Sequence, residues 1–233
     1  MENRIMFFPE RIVSIKDKDM VLEVGPGGTP HPRSDVLLEK RFDEKDAWEQ
    51  RGRTTKLKTK REIIYYDGGR FPFDDNAFDY VICSHVLEHI PGGQISMFLE
   101  ELQRVAKRGY LEFPTVYYDY MYNFSKHLTF LTYEDGVIKY LGKEKTALDT
   151  FIPIQVMLYE TLIKGYDMLV QDLKEYFFLG FEWQGEIVCE EVDDMADIVL
   201  PLSKIKALDQ KKRPISCKQK IAKKLMSYLF RQR

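Results

Sequence analysis

Cysteine is scarce in this chain: Cys83, Cys189 and Cys217 are the only three in 233 residues. So few, and so scattered, they build neither a disulfide framework nor a zinc cluster. A reducing cytoplasm is the compartment that suits them. Long hydrophobic runs are also missing, and none approaches the ~20 residues that a bilayer-spanning helix needs. The first residues lack the apolar stretch and small-residue cleavage site of a signal peptide. We therefore expect a cytoplasmic chain. There is no internal repeat and no low-complexity segment. What is present is ample apolar material, 44% of the residues, which is enough for a full core and excludes global disorder.

Charge is distributed unevenly. Residues 204–233 hold eleven Lys or Arg and a single acid, Asp209, for a net +10, which leaves −12 on residues 1–203. This contrast divides the chain into a body, 1–203, and a basic tail, 204–233, with a partner of its own. In the tail, Ile221, Ala222, Leu225, Met226, Leu229 and Phe230 share one helical face. Lys220, Lys223, Lys224 and Arg231 lie largely off it. A basic amphipathic helix suits an anionic membrane surface, giving peripheral contact on the inner face. A helix packed on the body, or general attraction to RNA phosphates, are the other readings.

The strongest signal lies at residues 21–28, V-L-E-V-G-P-G-G. Apolar β-formers run into a loop of Gly25, Pro26, Gly27 and Gly28, the pattern of a buried parallel strand ending in a turn with few side chains. Further strands are read at Asp35–Glu39, Glu62–Tyr66, Phe78–Cys83 and Tyr110–Phe113. Ile95, Phe98, Leu99, Leu102, Val105 and Ala106 recur at helical spacing, and Gly109 reads as the end of that helix. Pro30 and Pro32 block a long helix after the first strand. A short helix is read around Trp48. Strands alternating with short connections imply an α/β fold with a doubly wound, mostly parallel sheet. In the second half, Glu134-Asp135-Gly136 signals a hairpin between Thr129–Tyr133 and Val137–Leu141. Residues 154–178 show helical spacing, and Phe181–Val188 resembles a late strand. This half is read as completing the sheet and adding elements that face a substrate.

Four features fall at the carboxyl ends of the first four strands, where right-handed crossovers bring them to one rim. They are Glu23 with Gly25 and Gly27, then Glu39, then Asp67, then Ser84 with His85. This set suits a nucleoside ligand. Glu39 can accept from two ribose hydroxyls, and Asp67 from an exocyclic amine. Glu23 can orient the glycine loop or attract a cation.

These segments, with F-P-F-D-D-N-A-F-D-Y-V-I-C-S-H-V-L-E-H-I-P at 71–91 and E-L-Q-R-V-A-K-R-G-Y-L-E-F-P at 101–114, resemble the class I methyltransferases that depend on S-adenosylmethionine. The resemblance covers roughly residues 20–115. It implies a Rossmann-like fold with S-adenosylmethionine as cofactor. It places Gly25 and Gly27 at the methionine portion, Glu39 at the ribose, Asp67 and Gly68 at the adenine, and Ser84 and His85 near the transferable methyl. Asp79 is a familiar position in the pattern, read as structural. The chain departs from the family in spacing: Glu39 follows Gly25 by 14 residues instead of about twenty. A shortened first helix is expected, and Thr29 stands where a third glycine is usual. A nicotinamide reading is weaker, since position 30 is proline.

His85-Val86-Leu87-Glu88-His89 has the spacing of an inverted zinc-protease signature. Pro91-Gly92-Gly93 breaks the helix such a site requires, so no metal is expected. Glu88 and His89 are read instead as holding a short turn. His127 and His85 are the candidate general bases, needed if the acceptor is a hydroxyl of high pKa. Tyr117, Tyr118, Tyr120 and Tyr122 form either an acceptor pocket or core. The expected reaction is in-line methyl transfer to an oxygen or nitrogen of a small molecule or saccharide, such as a cell-surface glycan. An RNA methyltransferase and a non-catalytic cofactor-binding protein are the alternatives, nucleic acid ranking lower because no amine-methylating signature or RNA-binding module is seen.

Overall fold

The computed structural model describes residues 6–41, 59–162, 170–171 and 173–199, together with Cys217, Lys218, Lys220, Ile221, Lys224 and Leu225. Five strands come from the first half: β1 (Val21–Val24), β2 (Val36–Lys40), β3 (Glu62–Tyr66), β4 (Tyr80–Ser84) and β5 (Arg108–Pro114). Their order in the sheet is β3-β2-β1-β4-β5, all parallel. The chain therefore switches direction between β1 and β4, and that is where an open α/β sheet offers its ligand crevice. Every residue of β1 and β4 is buried. This is what a near-continuous apolar run in a sheet covered on both faces requires.

The crossover from β1 to β2 contains no helix; residues 25–35 form turns closed by Ser34 N donating to His31 O. Asp35 lies outside the strand, its amide bonded to Val21 O and its carboxylate accepting from Val21 N, 2.9 Å each. The helix read around Trp48 lies outside the described residues. α1 (Ile95–Val105) covers one face, burying Ile95, Phe98, Leu99, Leu102 and Val105 against Val81, Leu111 and Phe113. The reading of Gly109 as its end needs correction. The helix stops at Ala106, which is extended, and Gly109 belongs to β5. There a Cβ would stand 2.3 Å from Val81 O, so glycine permits the close approach of β5 to β4.

The second half divides its strands between two sheets. β6 (Thr129–Glu134) and β7 (Val137–Gly142) form the expected hairpin. Asp135 (φ 51°) and Gly136 (φ 87°) supply the two left-handed residues of a tight primed turn. This pair does not extend the main sheet, contrary to the simplest form of the expectation. β8 (Phe178–Gln184) does so, antiparallel to β5. β9 (Val188–Glu191) leaves it and pairs in parallel with β7. The single late strand read at 181–188 is thus two strands in different sheets. The helical stretch read at 154–178 contains α3 (Ile152–Leu162) and α4 (Lys174–Phe177), preceded by α2 (Val116–Tyr122) after β5.

Compactness separates residues 1–201 from residues 202–233. The described positions of the second unit are helical. Among the described residues, no helix is long and apolar enough to cross a membrane.

Candidate functional site

The glycine loop leaves β1 at Gly25, whose amide donates to Leu38 O at 2.9 Å. Gly25 has φ +64° and Gly27 φ +58°, a region that L side chains rarely occupy. A Cβ on Gly25 would also meet Val86 Cγ2 at 2.5 Å. Glycine is required here by the protein's own packing, quite apart from any ligand. Glu23 holds the loop from beneath. Its Oε2 accepts from His31 N at 2.8 Å and from Ser34 Oγ at 2.6 Å. Burial pushes the Glu23 carboxyl up to about 7, against the opposing effect of those two donors. Of the two roles read for Glu23, the structure places it in loop orientation.

Glu23, Gly25, Thr29, Pro30 and Ser84, with Met6 and Pro9, line a cavity of about 320 Å³. Glu39 is buried at the end of β2, beside Tyr65 of β3. Asp67 follows β3, its side chain 81% exposed and its Oδ1 3.9 Å from Arg41 Nε. Gly68 beside it has φ +100°. The strand order thus brings Gly25, Glu39, Asp67 and Ser84 to the same edge of one sheet, at the ends of β1, β2, β3 and β4. Asp79 is occupied structurally, accepting from Met20 N at 2.9 Å.

At the β4–β5 side lies a buried charge network that sequence reasoning missed. Glu112, in β5, accepts from Phe7 N (2.8 Å), Phe8 N (3.0 Å), Ser84 Oγ (3.1 Å) and Tyr110 Oη (2.6 Å). His85, with φ +55°, sits between Glu112 Oε1 (3.0 Å) and Glu88 Oε1 (3.1 Å). Burial opposes its charge, but the hydrogen bonds to Glu112 and Glu88 outweigh that and push its pKa up to about 10. Both ring nitrogens of His85 face carboxylates, an arrangement that favours the imidazolium and disfavours the general-base role read from the sequence. The only sequence signal for Glu112 was an acid inside an otherwise apolar strand. For Phe7 and Phe8 there was none, since backbone amides carry no side-chain signature. The Phe7 ring stacks on Phe178 at 3.7 Å and meets the His85 ring at 5.5 Å.

His127 is elsewhere. It lines a second cavity of about 750 Å³ with Tyr122, Asn123, Phe124, Lys143 and Gln155. Its Nδ1 lies 2.6 Å from Asp119 Oδ1, which makes Nδ1 the donor and leaves Nε2 outside that contact. Glu88 lies in a 3-10 turn (Leu87–His89), as the sequence reading of a short turn expected. His89 Nδ1 bonds Lys126 O at 2.8 Å, and burial holds this imidazole below its ordinary range, in the neutral form. Tyr118 and Tyr122 are core, packed with Phe8, Phe177 and Phe178, whereas Tyr120 is exposed.

Residues 37–112 match the family described as a methyltransferase domain. No curated protein matches the chain. Among solved structures, an S-adenosylmethionine-dependent methyltransferase of Aquifex aeolicus is 24% identical over 47% of this chain and 64% of its own, with TM-score 0.31. One from Methanosarcina mazei is 18% identical over 52% of this chain and 69% of its own, TM-score 0.32. A Bacillus halodurans protein assigned as a methyltransferase is 23% identical over 51% and 59%, TM-score 0.37. The match thus spans 59–69% of the length of these proteins. The family match, which covers about a third of the chain, is to a methyltransferase domain.

Proposed function

We propose that this chain, which carries a methyltransferase domain over residues 37–112, transfers a methyl group to a hydroxyl or amine of a small molecule or saccharide. The observation that carries the reading is the cavity bounded by Gly25, Glu23 and Ser84 at the strand switch, with Glu39 and Asp67 along the same edge. This donor set fits an adenosyl ligand: a buried carboxylate for ribose hydroxyls, an exposed one for an exocyclic amine, and a loop that turns sharply beneath the tail. S-adenosylmethionine, when bound, supplies a methyl already activated by the sulfonium charge. The protein's share is then alignment and exclusion of water. Ser84 and Gly25 bound the methionine end. Phe7, Phe178 and the fixed His85 imidazolium close the floor.

The larger cavity is the acceptor's place in this reading. His127, Lys143, Asn123 and Gln155 offer polar partners beside Phe124 and Tyr122. That mixture suits a polyhydroxylated acceptor with an apolar ring face. His127, not His85, is then the residue able to hold or deprotonate an acceptor hydroxyl. A bacterial cell-surface saccharide is the acceptor class we favour, with the basic tail offering peripheral contact with the membrane. Calorimetry with S-adenosylmethionine tests the cofactor site, and release of S-adenosylhomocysteine across a panel of saccharide and amine acceptors tests the reaction. Binding without turnover on any acceptor would leave a non-catalytic cofactor-binding protein.

A further inference from the structure

A second cluster adjoins His85 and lies outside the lining of the cavity bounded by Gly25, Glu23 and Ser84. One ligand atom from each of Glu88, His89 and His127 lies within 4.8 Å of the other two. Each group is prepared in a specific way. His89 directs Nδ1 to Lys126 O at 2.8 Å, so its Nε2 carries the lone pair. His127 directs Nδ1 to the Asp119 carboxylate at 2.6 Å, so Nε2 is its remaining nitrogen for an ion. Imidazoles that ligate metals are held in this manner, by a carbonyl or carboxylate on the remote nitrogen. Glu88 supplies the independent observation. It is fully buried, its Oε1 engages His85, and its Oε2 has no hydrogen-bond partner. An orphaned carboxylate oxygen in the interior is costly.

We propose that Glu88 Oε2, His89 Nε2 and His127 Nε2 bind a divalent transition-metal ion of the zinc type. Two imidazoles and one carboxylate are a borderline donor set that suits Zn²⁺ over the hard ions Mg²⁺ and Ca²⁺. Three protein ligands leave a fourth position open, the arrangement of catalytic and not structural zinc. Tetrahedral zinc at ~2.0–2.1 Å needs ligand atoms roughly 3.3 Å apart, so atoms that lie within 4.8 Å of one another close by at most about 1.5 Å through side-chain rotation. His127 lines the larger cavity, so an ion held by its Nε2 is reached from there. The sequence reading expected no metal because Pro91-Gly92-Gly93 would break the helix that pairs His85 with His89. The structure agrees on the break but supplies a different third group: His127, from a loop 38 residues after His89, replaces His85. If the proposed methyl transfer is correct, the open position faces the acceptor, and an acceptor hydroxyl bound there is polarised. Binding of the ion does not depend on that reading.

The test uses the full chain carrying Cys217→Ser, which removes an exposed thiol able to bind zinc adventitiously. The protein is stripped with chelator and titrated calorimetrically with Zn²⁺, Co²⁺ and Mg²⁺, without cofactor or acceptor. We expect one Zn²⁺ per chain, a visible Co²⁺ absorption of low-symmetry four- or five-coordinate type, and no Mg²⁺ binding. His89→Ala and His127→Ala should each weaken Zn²⁺ binding at least 100-fold. Asp119→Asn, which reaches the ion only through His127, should weaken it by ~10–100-fold. Circular dichroism of each stripped variant verifies folding, and its S-adenosylmethionine affinity should match the parent's. No Zn²⁺ binding by the folded parent, unchanged binding in both histidine variants, or equal affinity for Mg²⁺ would overturn the proposal. Zinc binding without S-adenosylmethionine binding would sink the proposed function and leave the metal site standing.

Discussion

The two sides of the strand switch are built by opposite means. Around β4 and β5 the groups are dry, charged and saturated: Glu112 takes four donors besides His85, and all of them are fixed. Around β2 and β3 the site is open, with Asp67 mostly in solvent and a distant arginine as its ion partner. Charges buried in a low-dielectric setting persist only when every partner is in place. A group in water can change partner at little cost. The closed side therefore sets geometry, while the open side is free to adapt to a ligand. Substitutions on the first should cost stability, and those on the second should cost affinity.

The largest effect falls on the closed side. Glu112→Ala leaves the His85 cation, the Tyr110 hydroxyl and two backbone amides without their acceptor. It should lower unfolding free energy by about 3–5 kcal/mol in denaturant titration. A loss below about 1 kcal/mol would mean that the network is dispensable.

Glu23 gives the next. Its carboxyl rises from an ordinary 4.5 to about 7 on folding, so the native state binds the proton more tightly than the unfolded chain. Its contribution is fully present below about pH 4.5 and is lost as pH climbs to about 7, where the slope ends. Glu23→Gln should remove that slope, a change of order 1–3 kcal/mol between the two limits. An identical pH profile for the variant would refute this account of Glu23.

Gly25→Ala combines a left-handed backbone with a contact at 2.5 Å to Val86. We expect a loss of about 1–2 kcal/mol. Adding Val86→Ala should restore part of it, because the clash goes but the backbone strain stays. No recovery in the double variant would count against the contact as the cause.

Asp67→Ala marks the other extreme. Thermal stability should stay within about 0.5 kcal/mol of the parent, while S-adenosylmethionine affinity falls by roughly tenfold, the worth of one hydrogen bond to a charged group. A drop in stability with affinity unchanged would reverse the contrast drawn between the two sides.

The sequence made this asymmetry only half visible. β1, β3 and β4 announce themselves because apolar runs stop at Gly25, Asp67 and Ser84, and local chemistry decides where a parallel strand ends. The placement of Gly25, Asp67 and Ser84 at strand ends was legible for the same reason. Pairing between distant segments was not. Nothing near Val188 says that it joins β7 and leaves β8, since register with β7 is settled by which apolar faces meet in three dimensions. Gly109 was misread because a glycine after a helical run looks like a stop, whereas its role is close approach to Val81. His85 was read as a base because residue type was visible and its two carboxylate neighbours, one of them 27 positions away, were not.

The attachment of Phe7 and Phe8 to Glu112 bridges 105 and 104 positions of the chain, and Arg11 reaches Gly180 O across 169. Phe7 and Phe8 thus find their seat only once β5 has been synthesised, and Arg11 only once β8 has. Contacts of such sequence separation slow folding. A translation product truncated before β8 would hold the glycine loop, the parallel sheet and Glu112, yet lack the Gly180 carbonyl that receives Arg11.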